Sequence, residues 1–380
     1  MVAIRFGGYC LMGGAMIASA AMLVAQVPPS APMPQGQPGI PASGPPASAD
    51  NQAVVDALKA MGLRPYHTLT PAEARQQPTF TDGVMAVLRQ QGKPTTPPPG
   101  TTERDISVGG AAGPLHALLI KPTGVHGPVP IILYFHGGGW VIADSKVYAG
   151  GARGLARNAK AMVISVDYRR APEAAFPAQH DDALASYRWV LGHAKSLGGD
   201  PSRIAFAGES AGGNLSVATA MLARDAGLPL PRAILSVYPI AGNDLNTPSY
   251  QDTSNGPTLS RALMAWFFRY VANSPADLND PRINLVNANL AGLPPVTIVA
   301  AQIDPLRSEG EMLAQRLAAQ GVSVERREWP GTTHEFFGAD AVIAAAGEAQ
   351  AWAGQRLHDA LYGAASLQPA MGQPQRGERG

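Results

Sequence analysis

Cysteine is almost absent from the 380 residues: Cys10 is the only one. Disulfide scaffolds, cysteine nucleophiles and thiolate metal centres are excluded once the first segment is removed. Charge of one sign is missing too, with a formal net charge of +1 and no Lys/Arg run long enough to neutralise a phosphate backbone. Nucleic acid is therefore not an expected partner. Long apolar runs are lacking as well. The most apolar stretch, Leu11 to Val24, is Gly-interrupted and shorter than the roughly 20 residues a bilayer span needs. Following Arg5, and ending among Ala18, Ser19, Ala20 and Ala25, it reads as a cleaved signal peptide over residues 1–25, which predicts a secreted or periplasmic protein. Bulky Tyr9 before Cys10 argues against lipidation.

Proline and glycine are abundant, at 35 and 42 residues, and the stretch from Val27 to Ser48 is too proline-rich to build a core. Residues 26–50 are expected to be a linker. Val54, Val55, Leu58 and Met61 have helical spacing, and Thr70-Pro71-Ala72-Glu73 has the form of a capping box with proline at the first helical position. Two helices are expected before the main domain. After Pro99, strands are expected at 105–108, 115–121, 129–135, 162–168, 203–207, 233–238, 296–301 and 322–329. Helices are expected at 182–194, 211–226, 307–320 and 341–361, with an insertion over 243–285 around an aromatic helix at 263–271. Continuous apolar strands alternating with helices define a mostly parallel, doubly wound α/β sheet, whose ligands bind beyond the carboxyl ends of the strands. The tail, residues 366–380, has the composition of a disordered segment.

Gly208-Glu209-Ser210-Ala211-Gly212 falls between an expected strand and an expected helix. A serine there would occupy a sharp, strained turn needing glycine on both sides, at the positive end of the helix. The plainer reading of Ser210 is a helix N-cap. His136-Gly137-Gly138-Gly139-Trp140 follows another strand, and its bare backbone could present N–H donors to an oxyanion. A flexible glycine turn is the alternative there. A nucleophilic serine needs a base and an orienting acid, in chain order Ser, Asp, His. Of the downstream histidines, His334 lies in a loop at a strand end, whereas His358 is inside a helical run. Asp304 directly follows a strand, unlike Asp244 and Asp280, although it could instead cap the next helix.

Together with Asp167-Tyr168-Arg169-Arg170-Ala171-Pro172-Glu173, Asp200-Pro201-Ser202-Arg203-Ile204, Asp304-Pro305-Leu306-Arg307 and the leading Leu69 to Arg75, these motifs resemble the hormone-sensitive-lipase family of bacterial esterases, from about Val54 to Leu361. The resemblance implies the α/β-hydrolase fold with a helical cap, here about residues 51–95 and 243–285. It implies serine carboxylesterase activity on short- to medium-chain acyl esters, through an acyl-enzyme and without cofactor or metal. Ser210 would be the nucleophile, His334 the base and Asp304 its orienting acid. Gly138, Gly139 and Ala211 would form the oxyanion hole, with Gly137 shaping that loop. His136 and Trp140 would brace it, and Gly208, Glu209 and Gly212 would frame the serine. Arg169, Arg170 and Glu173 are assigned to structural ion pairs. Glu335 stands where relatives often have glycine, and Ser308 where they often have a second acid. The expected partner is a small-molecule ester, with no stable membrane span after signal removal and a homo-oligomer allowed. Deacetylation of acetylated saccharides and a non-catalytic ligand-binding role are the competing functions.

Overall fold

The computed structural model describes residues 45–252 and 258–363. The signal-peptide segment, most of the linker and the tail at 366–380 lie outside the described residues. Eight strands form one sheet: β1 (Thr101–Gly110), β2 (Gly113–Pro122), β3 (Val129–Phe135), β4 (Met162–Val166), β5 (Gly199–Glu209), β6 (Ile234–Val237), β7 (Val296–Ile303) and β8 (Val324–Thr333). Their spatial order is β1-β2-β4-β3-β5-β6-β7-β8. The β1–β2 and β2–β4 pairs are antiparallel and every other pair is parallel.

Why the central strands read as unbroken apolar runs is visible in β3. Ile131, Leu133 and Phe135 enter one core, while Ile132 and Tyr134 enter the other, on the opposite face. Strand side chains alternate between faces, so a strand covered on both sides has no polar face to show. The chain runs outward from β3 to β4 and then crosses back to β5 on the other side of β3. That reversal is where an open α/β sheet leaves a crevice at its strand ends.

Ten α-helices accompany the sheet among the described residues: α1 (Ala49–Ala60), α2 (Pro71–Ala74), α3 (Phe80–Gln90), α4 (Ala149–Ala159), α5 (Ala178–His193), α6 (Ala211–Asp225), α7 (Pro248–Gln251), α8 (Arg261–Val271), α9 (Arg307–Ala319) and α10 (Ala344–Tyr362). The Thr70/Glu73 capping box is present, yet α2 is a single turn. The second long helix before the sheet is α3 instead, opened by its own box of Thr79 and Asp82. Helix α4 has only Leu155 as a large apolar residue, its buried face being otherwise alanine and glycine, because close approach decides its composition. A Cβ on Gly150 would overlap the Gly338 carbonyl, and one on Gly154 would overlap the Gln350 side chain of α10. No helix among the described residues is long and apolar enough to cross a membrane.

Candidate active site

Ser210 stands between β5 and α6 with φ 59° and ψ −117°, a region that costs a residue with a side chain. The turn is so tight that its neighbours are fixed by sterics. A Cβ on Gly208 would run into the Gly212 carbonyl, and one on Gly212 would run into the Phe135 carbonyl at the end of β3. The Ser210 N–H donates to the Val237 carbonyl at 2.9 Å, which ties the turn to β6. Ser210 stands at the N-cap position of α6, but its side chain caps no helix N–H.

Asp304 leaves the end of β7 and His334 leaves the end of β8, and both are about 1 % exposed. Asp304 Oδ2 lies 2.7 Å from His334 Nδ1, and His334 Nε2 lies 3.0 Å from Ser210 Oγ. The other Asp304 oxygen accepts from the Leu306 N–H at 2.9 Å, so the carboxylate also organises the turn into α9. Burial alone would depress the His334 imidazole. The charge and hydrogen bond of Asp304, with Glu335 nearby, outweigh it and hold His334 above its ordinary value.

The loop after β3 approaches Ser210 from the other side. Gly138, Gly139 and Trp140 have φ of 94°, 58° and 62°, and the N–H groups of Gly138 and Gly139 donate to no backbone carbonyl among the described residues. Gly138 and Gly139 share a pocket with Ser210 and His334, whereas Gly137 is not in its wall. The Gly137 carbonyl instead accepts from Tyr168 Oη and lies 2.7 Å from His136 Nδ1. His136 is fully buried, stacked on Tyr168 with ring centroids 4.3 Å apart, and its imidazole is depressed by burial. Trp140 is likewise buried, and its carbonyl accepts from the Ala171 N–H at 2.9 Å.

The arginine-rich motif after β4 grips this loop from behind. Arg170 donates to the Ala143 carbonyl, and Arg169 makes a bidentate pair with Asp182. Arg75 pairs with Glu173 while donating to the Val141 and Ala171 carbonyls. Ser308 bonds across to Ser249 at the start of α9 and does not reach the triad.

Three features escape a sequence reading. Glu209 accepts from both Tyr134 and Tyr238, and burial pushes its carboxyl up to about 8. Glu335 accepts from Tyr148 Oη at 2.6 Å and has φ 75°. Helix α1 is tied to the histidine loop: Asn51 and Thr333 exchange hydrogen bonds of 2.9 and 3.1 Å, and the Ser48 N–H donates to the Gly331 carbonyl. The two tyrosines sit more than 25 residues from Glu209 in sequence, and no local pattern links them.

The pocket above Ser210 encloses about 630 Å³ with its open mouth. Leu58, Leu63, Tyr66 and Phe80 come to it from the segment before the sheet, and Leu259, Leu263 and Phe267 from the segment after β6. Phe267 lies directly against Gly139, where a Cβ would collide with its ring.

An ordered Ser-His-Asp hydrogen-bond chain at the ends of β5, β7 and β8, opening into a mainly apolar pocket, is the architecture of a serine hydrolase. The sequence pattern of an alpha/beta hydrolase fold family matches residues 132–338, more than half the chain. Carboxylesterase NlhH of Mycobacterium tuberculosis is 39% identical over 282 residues, covering 71% of this chain and 88% of that protein. Ethyl acetate hydrolase of Pseudomonas putida is 36% identical over 57% of this chain and 69% of its own length. Among solved structures, a thermostable esterase from Pseudomonas putida superposes with a TM-score of 0.75 at 29% identity, covering 85% of this chain and 99% of that one. A hyperthermophilic esterase from Pyrobaculum calidifontis gives 0.73 at 31% identity, covering 83% and 98%. The chain belongs to the α/β-hydrolase esterase family.

Proposed function

We propose that this enzyme hydrolyses small carboxylic esters through an acyl-enzyme on Ser210, with His334 as base and Asp304 as its orienting acid. The observation that carries the reading is the unbroken hydrogen-bond chain from Asp304 through His334 to Ser210 Oγ at the floor of the pocket. Ser210 Oγ attacks the ester carbonyl while its proton passes to His334 Nε2. The tetrahedral oxyanion is met by the N–H groups of Gly138, Gly139 and Ala211, a type of donor typically worth about a hundred- to a thousandfold in rate. Collapse expels the alcohol, which takes the proton from Nε2, and water repeats the sequence on the acyl-enzyme. Asp304 holds the tautomer and stabilises the imidazolium.

The segments carrying Leu58, Tyr66, Phe80, Leu263 and Phe267 serve as the cap and set acyl selectivity, short to medium chains suiting the pocket's size. Its aliphatic and aromatic wall favours such chains over an acetylated saccharide. Ser210→Ala should lower p-nitrophenyl acetate turnover by at least about a thousandfold and abolish fluorophosphonate labelling. Retained turnover in folded Ser210→Ala protein would refute the nucleophile.

The apolar N-terminal segment supports export to the periplasm or beyond. N-terminal sequencing of the mature protein should begin near residue 26. An intact Met1 on protein recovered from the cytosol would overturn that expectation.

A further inference from the structure

Behind the ester pocket lies a second cavity. Its wall runs from exposed Thr96, Pro97 and Lys146 inward to buried Glu209, and it shares Tyr148 and Glu335 with the ester pocket. Glu335 therefore stands on the partition between the two. Its Oε1 accepts from Tyr148 Oη at 2.6 Å and lies 4.0 Å from His334 Nε2, the nitrogen that faces Ser210. A direct hydrogen bond does not span that gap. A single water bonded to each atom at about 2.8 Å does. The backbone at position 335 holds φ 75°, where glycine would be the unstrained choice, and yet a carboxylate is placed there.

We propose that Glu335 is a positioning residue for the second half of the reaction: with His334 it holds the water that attacks the acyl-enzyme, and the rear cavity is that water's way in. This rests on the acyl-enzyme reading above. In deacylation the water oxygen bonds to the acyl carbon as one proton goes to His334 Nε2. The carbon to Oγ bond then breaks, and His334 returns that proton to Ser210 Oγ. The second water hydrogen needs an acceptor while the oxygen lone pair is aimed at the carbonyl, and Glu335 Oε1 supplies it. An alcohol has only one O–H and cannot satisfy Nε2 and Glu335 together. Glu335 thereby favours water over alcohols as the acyl acceptor.

The test is stopped-flow hydrolysis of p-nitrophenyl butyrate by the full chain, with and without methanol, for wild type and Glu335→Gly. The variant should acylate within about twofold of wild type and deacylate about tenfold more slowly. Its partition between methyl butyrate and butyrate should move about tenfold toward the methyl ester. Unchanged partition would overturn the proposal, as would acylation and deacylation falling together, which is the signature of a merely structural role. If Glu335→Gly does not fold, Glu335→Met, which keeps the side-chain length and removes the acceptor oxygen, carries the same comparison. Absence of any acyl adduct on wild-type Ser210 by intact mass would instead strike the triad reading itself.

Discussion

Below the pocket, Ser210, Asp304 and His334 are held by main-chain sterics and buried hydrogen bonds. Above it, Phe80, Leu263 and Phe267 reach the same space from helices joined to the rest largely by apolar packing. The floor tolerates almost no change of shape, because its neighbours are carbonyl groups of the sheet. The roof is made of side chains, and hydrophobic side chains of about the right size can replace one another at modest cost. Under the proposed function, the contrast separates what fixes the chemistry from what selects the ester.

The largest effect should come from the floor. Gly212→Ala places a methyl group onto the Phe135 carbonyl, which cannot move without displacing β3. We expect destabilisation of about 3 kcal/mol and loss of turnover on every ester alike, read by thermal melting and kcat/KM. A variant that melts and turns over normally would break the distinction. The roof should respond in selectivity. Phe80→Ala enlarges the pocket, and the ratio of kcat/KM for octanoate over acetate p-nitrophenyl esters should rise about tenfold with the fold intact. An unchanged ratio would show that Phe80 plays no part in choosing the acyl chain.

The smallest effect on turnover concerns the buried acid beneath the floor. Glu209 carries a proton in the folded protein up to about 8, whereas the unfolded chain releases it near 4.5. Between those values the folded state binds more protons, so stability falls as pH rises through the window. Under the proposed mechanism catalysis runs the other way, since His334 must be neutral to act as base. Glu209→Gln should flatten the decline in melting temperature between pH 5 and 8. An equally steep decline would move its origin to another group, such as buried Glu309, which is pushed to about 8 in the same manner.

How much could be read from sequence follows the same division. Motifs around Ser210 and Gly137 to Gly139 are legible because crowding, by carbonyl groups at Gly138, Gly208 and Gly212 and by the Tyr148 and Phe267 side chains at Gly137 and Gly139, permits only glycine there, and a steric requirement leaves a local mark. The central strands β3, β4 and β6 are legible because burial on both faces makes them almost wholly apolar, whereas β1 and β8 at the sheet edges expose charged side chains. Helix α4 is not, since its glycines serve contacts with residues nearly 200 positions away. Nor is Arg75, whose bonds to the Val141 and Ala171 carbonyls place it behind the glycine loop. The partners of Glu209 and Glu335 are hidden for that reason too: a tyrosine hydroxyl arriving from another strand or helix writes nothing beside the carboxylate it meets.

The bridge between Asn51 and Thr333 bears on how such enzymes are re-engineered. Exchanging N-terminal segments between relatives is an evident route to new selectivity. Here the first turn of α1 is bonded to the residue immediately before His334, and Ser48 to Gly331 near the end of β8. A replacement cassette that begins upstream of residue 48 would import a foreign anchor for the proposed base along with the new lining. A cassette that begins after Asn51 leaves that anchor native, and only the lining changes hands.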